Sequence, residues 1–442
     1  MTGNRETFGS RIAFIMALAG SAIGLGNIWR FPYIAGEHGG ALFVLIYLVF
    51  ALLISLPILM AEGFIGKKSR RSTIDAMEYL APGTGWKNLG YLAMSASFII
   101  LSFYSVVGGW SVDYLVRSCV TGLDCTTRET AASIFGSVSG RTLETIATFT
   151  VFLGLTAIII YAGVKNGIER FSKVAMPVLF FLILFIAVYS MTLPGAMEGV
   201  KYLVKPDLSK VSIDTFSYAL GQSFFSMSLG VGTVLTYSSY MREEDSIVRT
   251  GVATTLSDLF FAILSGFAVM PAVFAAGIRP EAGPSLVFES LPYVFSCMSR
   301  DLPFIGYAIT IIFFLAILIA AVSSSISMFE VIVSHLIERK SFSRRKASIV
   351  VFAAAWVLGC LCALSFGLLS DFKIFGKTIF SFCDVLTSNF LMMIGALAFS
   401  LFAGWKMKKA DVRSEVGPFF YFMIRWVAPV VIVVIFVANL IP

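Results

Sequence analysis

The chain has 442 residues, of which 58% are hydrophobic and 13% are charged, and its mean hydropathy is +0.88. Soluble domains carry about 25% charged residues, so this composition excludes a water-soluble protein. The formal net charge of +7 reflects basic loops on one side of a membrane and predicts no nucleic-acid partner.

Uncharged stretches long enough to cross a bilayer recur along the whole chain. A spanning helix needs about 20 largely apolar residues, and eleven windows qualify: 12–29, 38–61, 88–112, 145–164, 174–197, 215–241, 259–278, 302–329, 347–370, 385–405 and 426–442. Barrel strands are shorter and alternate polar with apolar residues, which these windows do not. The sequence therefore predicts an all-α protein with eleven transmembrane helices in one membrane domain, 1–442.

Lys and Arg set the expected orientation. The loops on the side of the N-terminus hold about twice as many of them as the other loops, and cytoplasmic loops are the richer ones. We therefore expect a multi-pass protein of the cell inner (plasma) membrane, with the N-terminus in the cytoplasm and the C-terminus outside. Residues 1–10 are polar and the first window has full length, so no cleavable signal peptide is predicted.

Catalytic and metal-site signatures give little support to an enzyme. His38 and His335 are far apart and have no neighbouring ligand pattern, and no nucleophile elbow or phosphate-binding glycine loop occurs. The unusual residues are instead Arg30, Asp258, Glu330 and Asp384, each of which directly adjoins an uncharged window and falls within the span when the helix extends by one residue. Charged groups there are costly and typically functional, although a group near a span end can also reach the interface.

Glycines interrupt the first and sixth windows. The first contains Gly20-Ser-Ala-Ile-Gly-Leu-Gly26 and the sixth contains Ser226-Met-Ser-Leu-Gly-Val-Gly232. Glycines spaced in this way also serve close helix packing. Two such spans at equivalent places of two five-helix halves indicate an inverted-repeat transporter with broken helices 1 and 6. The halves would be about 11–192 and 214–405, followed by an extra helix at about 418–440.

The eighth window contains four serines among aliphatic residues, Ser323, Ser324, Ser325 and Ser327. Such hydroxyls can bond back to carbonyls of their own helix. Beside two broken helices, coordination of sodium is the preferred interpretation.

At this point the chain resembles a known family. The segments Arg5–Arg11, Ala19–Pro32, Gln222–Gly232, Thr236–Tyr240 and Gly283–Phe288 are similar to motifs of the neurotransmitter:sodium symporters, in their prokaryotic amino-acid branch. The resemblance extends over nearly the whole chain. It implies a sodium-coupled symporter without enzymatic activity, whose partners are an amino acid and the lipid bilayer.

The resemblance also implies two sodium sites, and chloride is not expected as a co-ion. Sodium 1 would be held by the Ala22 carbonyl, Asn27, Ser226, the substrate carboxylate and, where the family has Asn, Ser257. Sodium 2 would be held by carbonyls and hydroxyls of Gly20, Ile23, Ala320, Ser323 and Ser324. All of these are hard oxygen donors, which suit a hard cation.

The same resemblance places the substrate between the two breaks. Its carboxylate would meet the Gly26 amide and the Tyr104 hydroxyl, and its amine would meet the carbonyls of Ala22 and Phe225 together with Ser228. The remaining residues expected around its side chain are Ile100, Val231, Ser324 and Met328. Because this wall offers no partner to a charged side chain, the expected substrate is a neutral, hydrophobic L-amino acid.

Two gates follow from the resemblance. Arg30 and Asp384 would pair on the outer side, with Phe225 as a lid. Arg5 and Glu338 would pair on the inner side with help from Tyr240, although Phe8 replaces the Trp usual in the family. Gly167 and Pro177 mark either an unwinding segment or a simple proline kink.

Chloride-dependent relatives complete an anion site with a serine at the position of Phe261. Asp258 lies three residues earlier and shares its helix face, so its carboxylate would supply the fixed negative charge instead. A protonated, merely hydrogen-bonded Asp258 is the alternative.

Three functions remain to be separated at this level. Alternating access driven by sodium is the favoured one. A proton-coupled amino-acid carrier that uses Glu330 or Asp258, and a membrane-embedded amino-acid receptor, are the alternatives.

Overall fold

The protein is mostly helical in the part that the computed structural model describes, residues 5–120, 122–123, 125, 127–277, 286–298 and 303–438. The first half contains α1 Arg11–Ala22, α2 Gly26–Glu37, α3 Ala41–Ser69, α4 Thr73–Leu80, α5 Lys87–Val120, α6 Arg128–Gly140, α7 Thr142–Tyr161, α8 Val164–Met191 and α9 Ala196–Val204. The second half contains α10 Ile213–Ser226, α11 Thr233–Ser238, α12 Ile247–Ala275, α13 at 286–298, α14 Pro303–Lys340, α15 Arg344–Leu364, α16 Ile379–Lys406 and α17 Lys409–Ala438.

Within the described residues, nine helices are long and apolar enough to cross a membrane, and α1 with α2 forms a tenth candidate bent by 56°. The remaining predicted window, 215–241, coincides with α10 and α11, which residues 227–232 separate. The predicted fold class, a helical membrane protein with many spans, is confirmed. Residues 283–285 of the last sequence motif and the final four residues of window 426–442 lie outside the described part.

Burial separates central from peripheral helices. In α5 and α14 the most apolar stretch is 72% buried inside the protein, compared with 28% in α17. The peripheral helices expose large apolar side chains, such as Phe181 on α8 and Val434 on α17. Large exposed apolar surfaces mark contact with a membrane or another protein, so the outer helices present the surface that can face the bilayer.

The interruption between α10 and α11 depends on its glycines. Gly230 and Gly232 have φ angles of +79° and +78°, which other residues rarely adopt. The Gly230 N–H, released from the helix, donates to the buried carboxylate of Glu62 on α3 at 2.7 Å. A side chain on Gly230 or Gly395 would collide with the backbone of the other element, since α16 passes directly against the break.

The Gly167 and Pro177 pair does not separate two helices here. Gly167 lies in a π-helical turn at Val164–Glu169, and Pro177 lies inside the helix that continues to Met191. The structure therefore contains a continuous α8 with a wide first turn.

Candidate functional site

Next to the break in the first span, one backbone carbonyl accepts hydrogen bonds from the α10–α11 interruption and from α14. Helix α1 ends at Ala22, and the Ser21 carbonyl accepts hydrogen bonds from the hydroxyls of Ser228 at 2.9 Å and Ser324 at 3.3 Å. Gly24 is required at this point because an added Cβ would lie 2.6 Å from the Ser324 hydroxyl and 3.2 Å from that of Tyr104. Broken α1, broken α10–α11 and α14 thus meet at one place.

An enclosed cavity lies between these elements. It is lined by all nine residues that the sequence predicts around the substrate, together with Ser21, Gly24, Leu25, Asn27, Ser226 and Met392. Its volume is about 30 Å³, and one water needs about 10–15 Å³ on this measure. An amino-acid side chain therefore enters only if the walls move apart.

Tyr104 projects into this cavity from the middle of α5. Its hydroxyl oxygen accepts the Leu25 N–H at 3.4 Å, and its side chain is buried. The hydroxyl therefore lies where the wall of the cavity meets the backbone of the α1–α2 break. This burial in the middle of a spanning helix differs from the interfacial position at which tyrosines concentrate in membrane proteins.

A cluster of oxygen-bearing side chains adjoins the cavity. Asp258 Oδ1 accepts hydrogen bonds from Asn27 Nδ2 at 2.8 Å and from the Ser226 hydroxyl at 2.7 Å. The Ser226 hydroxyl also lies 3.0 Å from Asn27 Oδ1, and Tyr47 donates to Asp258 Oδ2 at 3.4 Å. All four residues are almost completely buried. Asn27 and Ser226 are thus brought together as the sequence predicts, with Asp258 between them.

Ser257 is not part of this cluster. Its hydroxyl donates to the Ala253 carbonyl one turn earlier, at 2.8 Å, and its side chain lines an apolar groove with Met16 and Phe261. Adjacent residues of a helix point about 100° apart, so Asp258 and Ser257 cannot both face Asn27. The expectation that Ser257 supplies a ligand for sodium 1 does not fit this geometry, and Asp258 occupies that place.

The region predicted for sodium 2 lies between α1 and α14. An added Cβ on Gly20 would lie 3.5 Å from that of Ser323. The Ser323 hydroxyl donates to the Ala320 carbonyl at 2.8 Å, whereas that of Ser324 reaches across to α1. Back-bonding within the helix and contact with the α1 break therefore both occur among these serines.

The outer gate residues do not form an ion pair in this structure. Arg30 donates to Gln222 Oε1 at 3.2 Å, and its guanidinium lies 5.1 Å from the centre of the Phe225 ring. Asp384, which the structure also describes, accepts instead from the Ser388 hydroxyl at 3.0 Å. The expected Arg30–Asp384 pair is thus absent, because Gln222 and Phe225 already engage the guanidinium. Phe225 lines the cavity beside this guanidinium.

The inner gate residues are in contact. Arg5 pairs with Glu338, and its guanidinium lies 4.6 Å from the centre of the Tyr240 ring. Phe8 is buried against Tyr240. The second Glu338 oxygen accepts the Ser72 N–H at 2.7 Å, which joins α14 to the start of α4.

Glu330, which sequence reasoning left without a role, has two strong partners. Arg344 donates to its two oxygens at 2.9 Å and 3.1 Å, and the Tyr240 hydroxyl donates to it at 2.6 Å. Glu330 therefore connects α14 to the start of α15 and to Tyr240 behind the inner gate residues.

Sequence reasoning missed three residues. Met392 lines the cavity from α16, Glu62 holds the second helix break, and Arg344 neutralises Glu330. Glu62 carried a usable signal, since it is a lone acid near the end of an apolar stretch. Met392 and Arg344 carried none, because a methionine in a span and an arginine in a basic loop are both ordinary.

Two interrupted helices around an enclosed cavity, lined by backbone and hydroxyl oxygens, define a secondary membrane transporter. The chain belongs to the sodium:neurotransmitter symporter family, whose sequence profile matches residues 5–134 and 130–442. The resemblance predicted from its motifs, including the prokaryotic branch, is confirmed.

The chain is similar along its length to sodium-dependent transporters. The chain is 40% identical to a sodium-dependent transporter of Bacillus subtilis, YhdH, over 98% of this chain and 97% of that protein. It is 26% identical to the sodium-dependent serotonin transporter of Drosophila melanogaster, over 99% and 76% of the two chains. The structure of MhsT in complex with L-phenylalanine is 37% identical and has a TM-score of 0.92, with 98% of this chain and 100% of that chain covered.

Proposed function

We propose that the protein imports a neutral, hydrophobic L-amino acid together with sodium by alternating access. The observation that carries this proposal is the cavity between the two breaks, whose lining residues include no charged side chain. A charged substrate side chain would be left without a partner there, which is costly. The complex of the similar transporter MhsT with L-phenylalanine supports the same substrate class.

In this mechanism sodium and substrate bind together. Asn27, Ser226 and Asp258, with the Ala22 carbonyl and the substrate carboxylate, would coordinate one sodium ion, and the α1 carbonyls with Ser323 and Ser324 would coordinate a second. Because the carboxylate belongs to both substrate and sodium site, each favours binding of the other by linkage. Phe225 covers the site from outside, and separation of Arg5 from Glu338 opens it inside.

The topology belongs to the same proposal. We infer an N-terminus in the cytoplasm, a C-terminus outside, and two inverted halves. In this arrangement α10 and α11 together form the sixth span in chain order and bring the total to eleven. The equivalent positions of the two interrupted spans support this arrangement.

Proteoliposome uptake tests the function directly. We expect labelled phenylalanine or leucine to accumulate when an inward sodium gradient is imposed. Accumulation driven equally well by a proton gradient in potassium would favour the proton-coupled carrier, with Glu330 or Asp258 as its proton site. Binding without accumulation would favour a receptor.

Substitution of Tyr104 by Phe is expected to weaken substrate binding by roughly tenfold to a hundredfold. It removes one hydrogen bond to an ionised carboxylate, which is worth about 1.5–3 kcal/mol. Scintillation-proximity binding of the labelled substrate measures the loss. Tyr91→Phe, an exposed position of the same helix, is the matched control and should bind normally. Unchanged binding by the Tyr104 variant would remove this hydroxyl from the site.

The size of the accepted side chain is a separate expectation. Val231 is short and Met328 is flexible, so methionine, phenylalanine and tryptophan should each compete with leucine. Displacement of labelled leucine by a panel of amino acids measures this. A panel in which only glycine and alanine compete would contradict a cavity that widens to admit large side chains.

A further inference from the structure

The N-terminal segment, residues 5–10, and the start of α8 are joined by two reciprocal hydrogen bonds from backbone N–H groups to carboxylates. Glu6 of the segment accepts the Val164 N–H of α8 at 2.7 Å. In return, Glu169 of α8 accepts the Gly9 N–H of the segment at 2.7 Å. Each element thus supplies the acceptor for a backbone donor of the other.

Both donors lie at the beginning of a helix. Val164 is the first residue of α8, and Gly9 directly precedes Ser10, which caps α1. Backbone N–H groups at these ends have no partner within their own helix, and the helix dipole favours a negative charge there. Each carboxylate is therefore placed where its charge is most effective, at the N-terminus of the opposite helix.

Two glycines allow this close approach. An added Cβ on Gly9 would lie 3.0 Å from Glu169 Oε1, and one on Gly163 would lie 3.3 Å from Glu6 Oε2. Gly163 also has a φ of +90°, which a side chain would strain. The backbone on both sides is thus shaped to receive a carboxylate.

The two acids differ in their surroundings. Glu169 is buried, and its other oxygen accepts from Lys173 Nζ at 2.6 Å. Glu6 is half exposed and lies 3.6 Å from Arg344, which also binds Glu330. Because exposed charges are screened by water, the Glu169 contact should contribute more than the Glu6 contact.

We propose that Glu6 and Glu169 form a reciprocal clasp that positions α1 against α8 in the inward-closed form of the transporter, and that inward opening must break both contacts. They act as positioning residues, since neither lines the substrate cavity. This inference rests on the proposed alternating-access function. It adds α8 to an inner closure in which Arg5 already contacts Glu338 of α14 and the ring of Tyr240.

The clasp lies at the N-terminal end of α1, whereas the carbonyls expected to hold sodium 2, those of Gly20 and Ile23, lie at its C-terminal end. Gly20 also faces α8, since its added Cβ would lie 3.2 Å from Met176. A weakened clasp lowers the fraction of molecules closed on the inside and competent to bind sodium from outside. An apparent dissociation constant rises in proportion as that fraction falls.

Hydrogen exchange measured by mass spectrometry tests the reciprocity. Glu169→Gln keeps the shape of the side chain but removes the charge, which roughly halves the strength of such a bond. We expect amide exchange to become about fivefold faster around Gly9 and also around Val164, in full-length protein without substrate. Glu6→Gln should accelerate the same two segments to a smaller extent. Acceleration confined to the segment that has lost its own acceptor would show two independent caps and overturn the clasp.

Sodium-dependent uptake gives the second measurement. The half-saturating sodium concentration of Glu169→Gln should rise by about threefold to tenfold, and the double variant should add little to this because both acids act in one element. Glu198→Gln, an exposed acid elsewhere on the chain, is the control and should change neither measurement. An unchanged sodium dependence in Glu169→Gln would also overturn the proposal. If neither the wild type nor any variant transports with sodium, the proposed function is wrong. The hydrogen-exchange measurement still tests the clasp in that case.

Discussion

Replacement of chloride by gluconate is expected to leave sodium-driven uptake unchanged, whereas Asp258→Asn is expected to abolish it. The carboxylate of Asp258 is completely buried and lies between Asn27 and Ser226, where a sodium ion would otherwise have only neutral protein ligands. A fixed negative charge there balances the cation in a medium of low polarity. Chloride then has no charge to supply.

The Asn substitution isolates this charge. Asparagine has nearly the same shape and can still accept from Asn27 or Ser226, so the protein should fold while its affinity for sodium falls by tenfold or more. Asp411→Asn, an acid paired with Lys68 on the surface, is the matched control, because exposed pairs contribute little. A wild type that stops transporting in gluconate would show that Asp258 does not replace chloride. A fully active Asp258→Asn variant would show that its charge is not needed.

Asn27→Ala and Ser323→Ala are each expected to raise the half-saturating sodium concentration by tenfold or more and to abolish uptake at low sodium. Each removes an oxygen ligand from a different proposed sodium site, and Asn27→Ala also leaves Asp258 without one of its donors. Uptake and equilibrium binding, titrated with sodium at constant ionic strength, measure the effect.

Ser325→Ala provides the control for a lost hydroxyl. Ser325 is buried on the same helix as Ser323, but it bonds to Thr156 and to the Val322 carbonyl. Its loss should reduce stability by about 1 kcal/mol without changing the sodium dependence. If Ser323→Ala behaves like this control, the hydroxyl is no more than a bond within its own helix and sodium 2 is misplaced.

The helical course of the chain could be predicted because hydrophobic windows and spanning helices share one cause. The windows end where charges begin, whereas the helices continue into water, as α3 does to Ser69 and α14 to Lys340. Charged side chains at such ends are solvated and do not stop a helix. The short helices α4, α6, α9 and α13 were missed because they lie outside the apolar windows.

The candidate site could be predicted where a motif fixed the position of a residue along the chain. Asn27, Ser226 and Tyr104 lie where the resemblance places them. Ser257 was assigned by matching the sequence to the family position by position. Such a match does not show whether Ser257 or its neighbour Asp258 faces Asn27, and the structure places Asp258 there. Arg30 and Asp384 show another limit, since the sequence names possible partners while competing contacts with Gln222 and Phe225 decide the pairing.

The contact between Gly230 and the backbone of α16 has a consequence for how such a protein can change over evolutionary time. The two elements touch through main-chain atoms, from Met392 to Ala396, and this contact is independent of the side chains beside it. Val231 and Met392 are attached to this same frame and line the cavity. Their replacement by larger or smaller apolar residues would reshape the pocket without displacing the helix break. We therefore expect single substitutions at Val231 or Met392 to change the substrate preference. A side chain at Gly230 or Gly395 would instead collide with the facing backbone and disrupt the helix break.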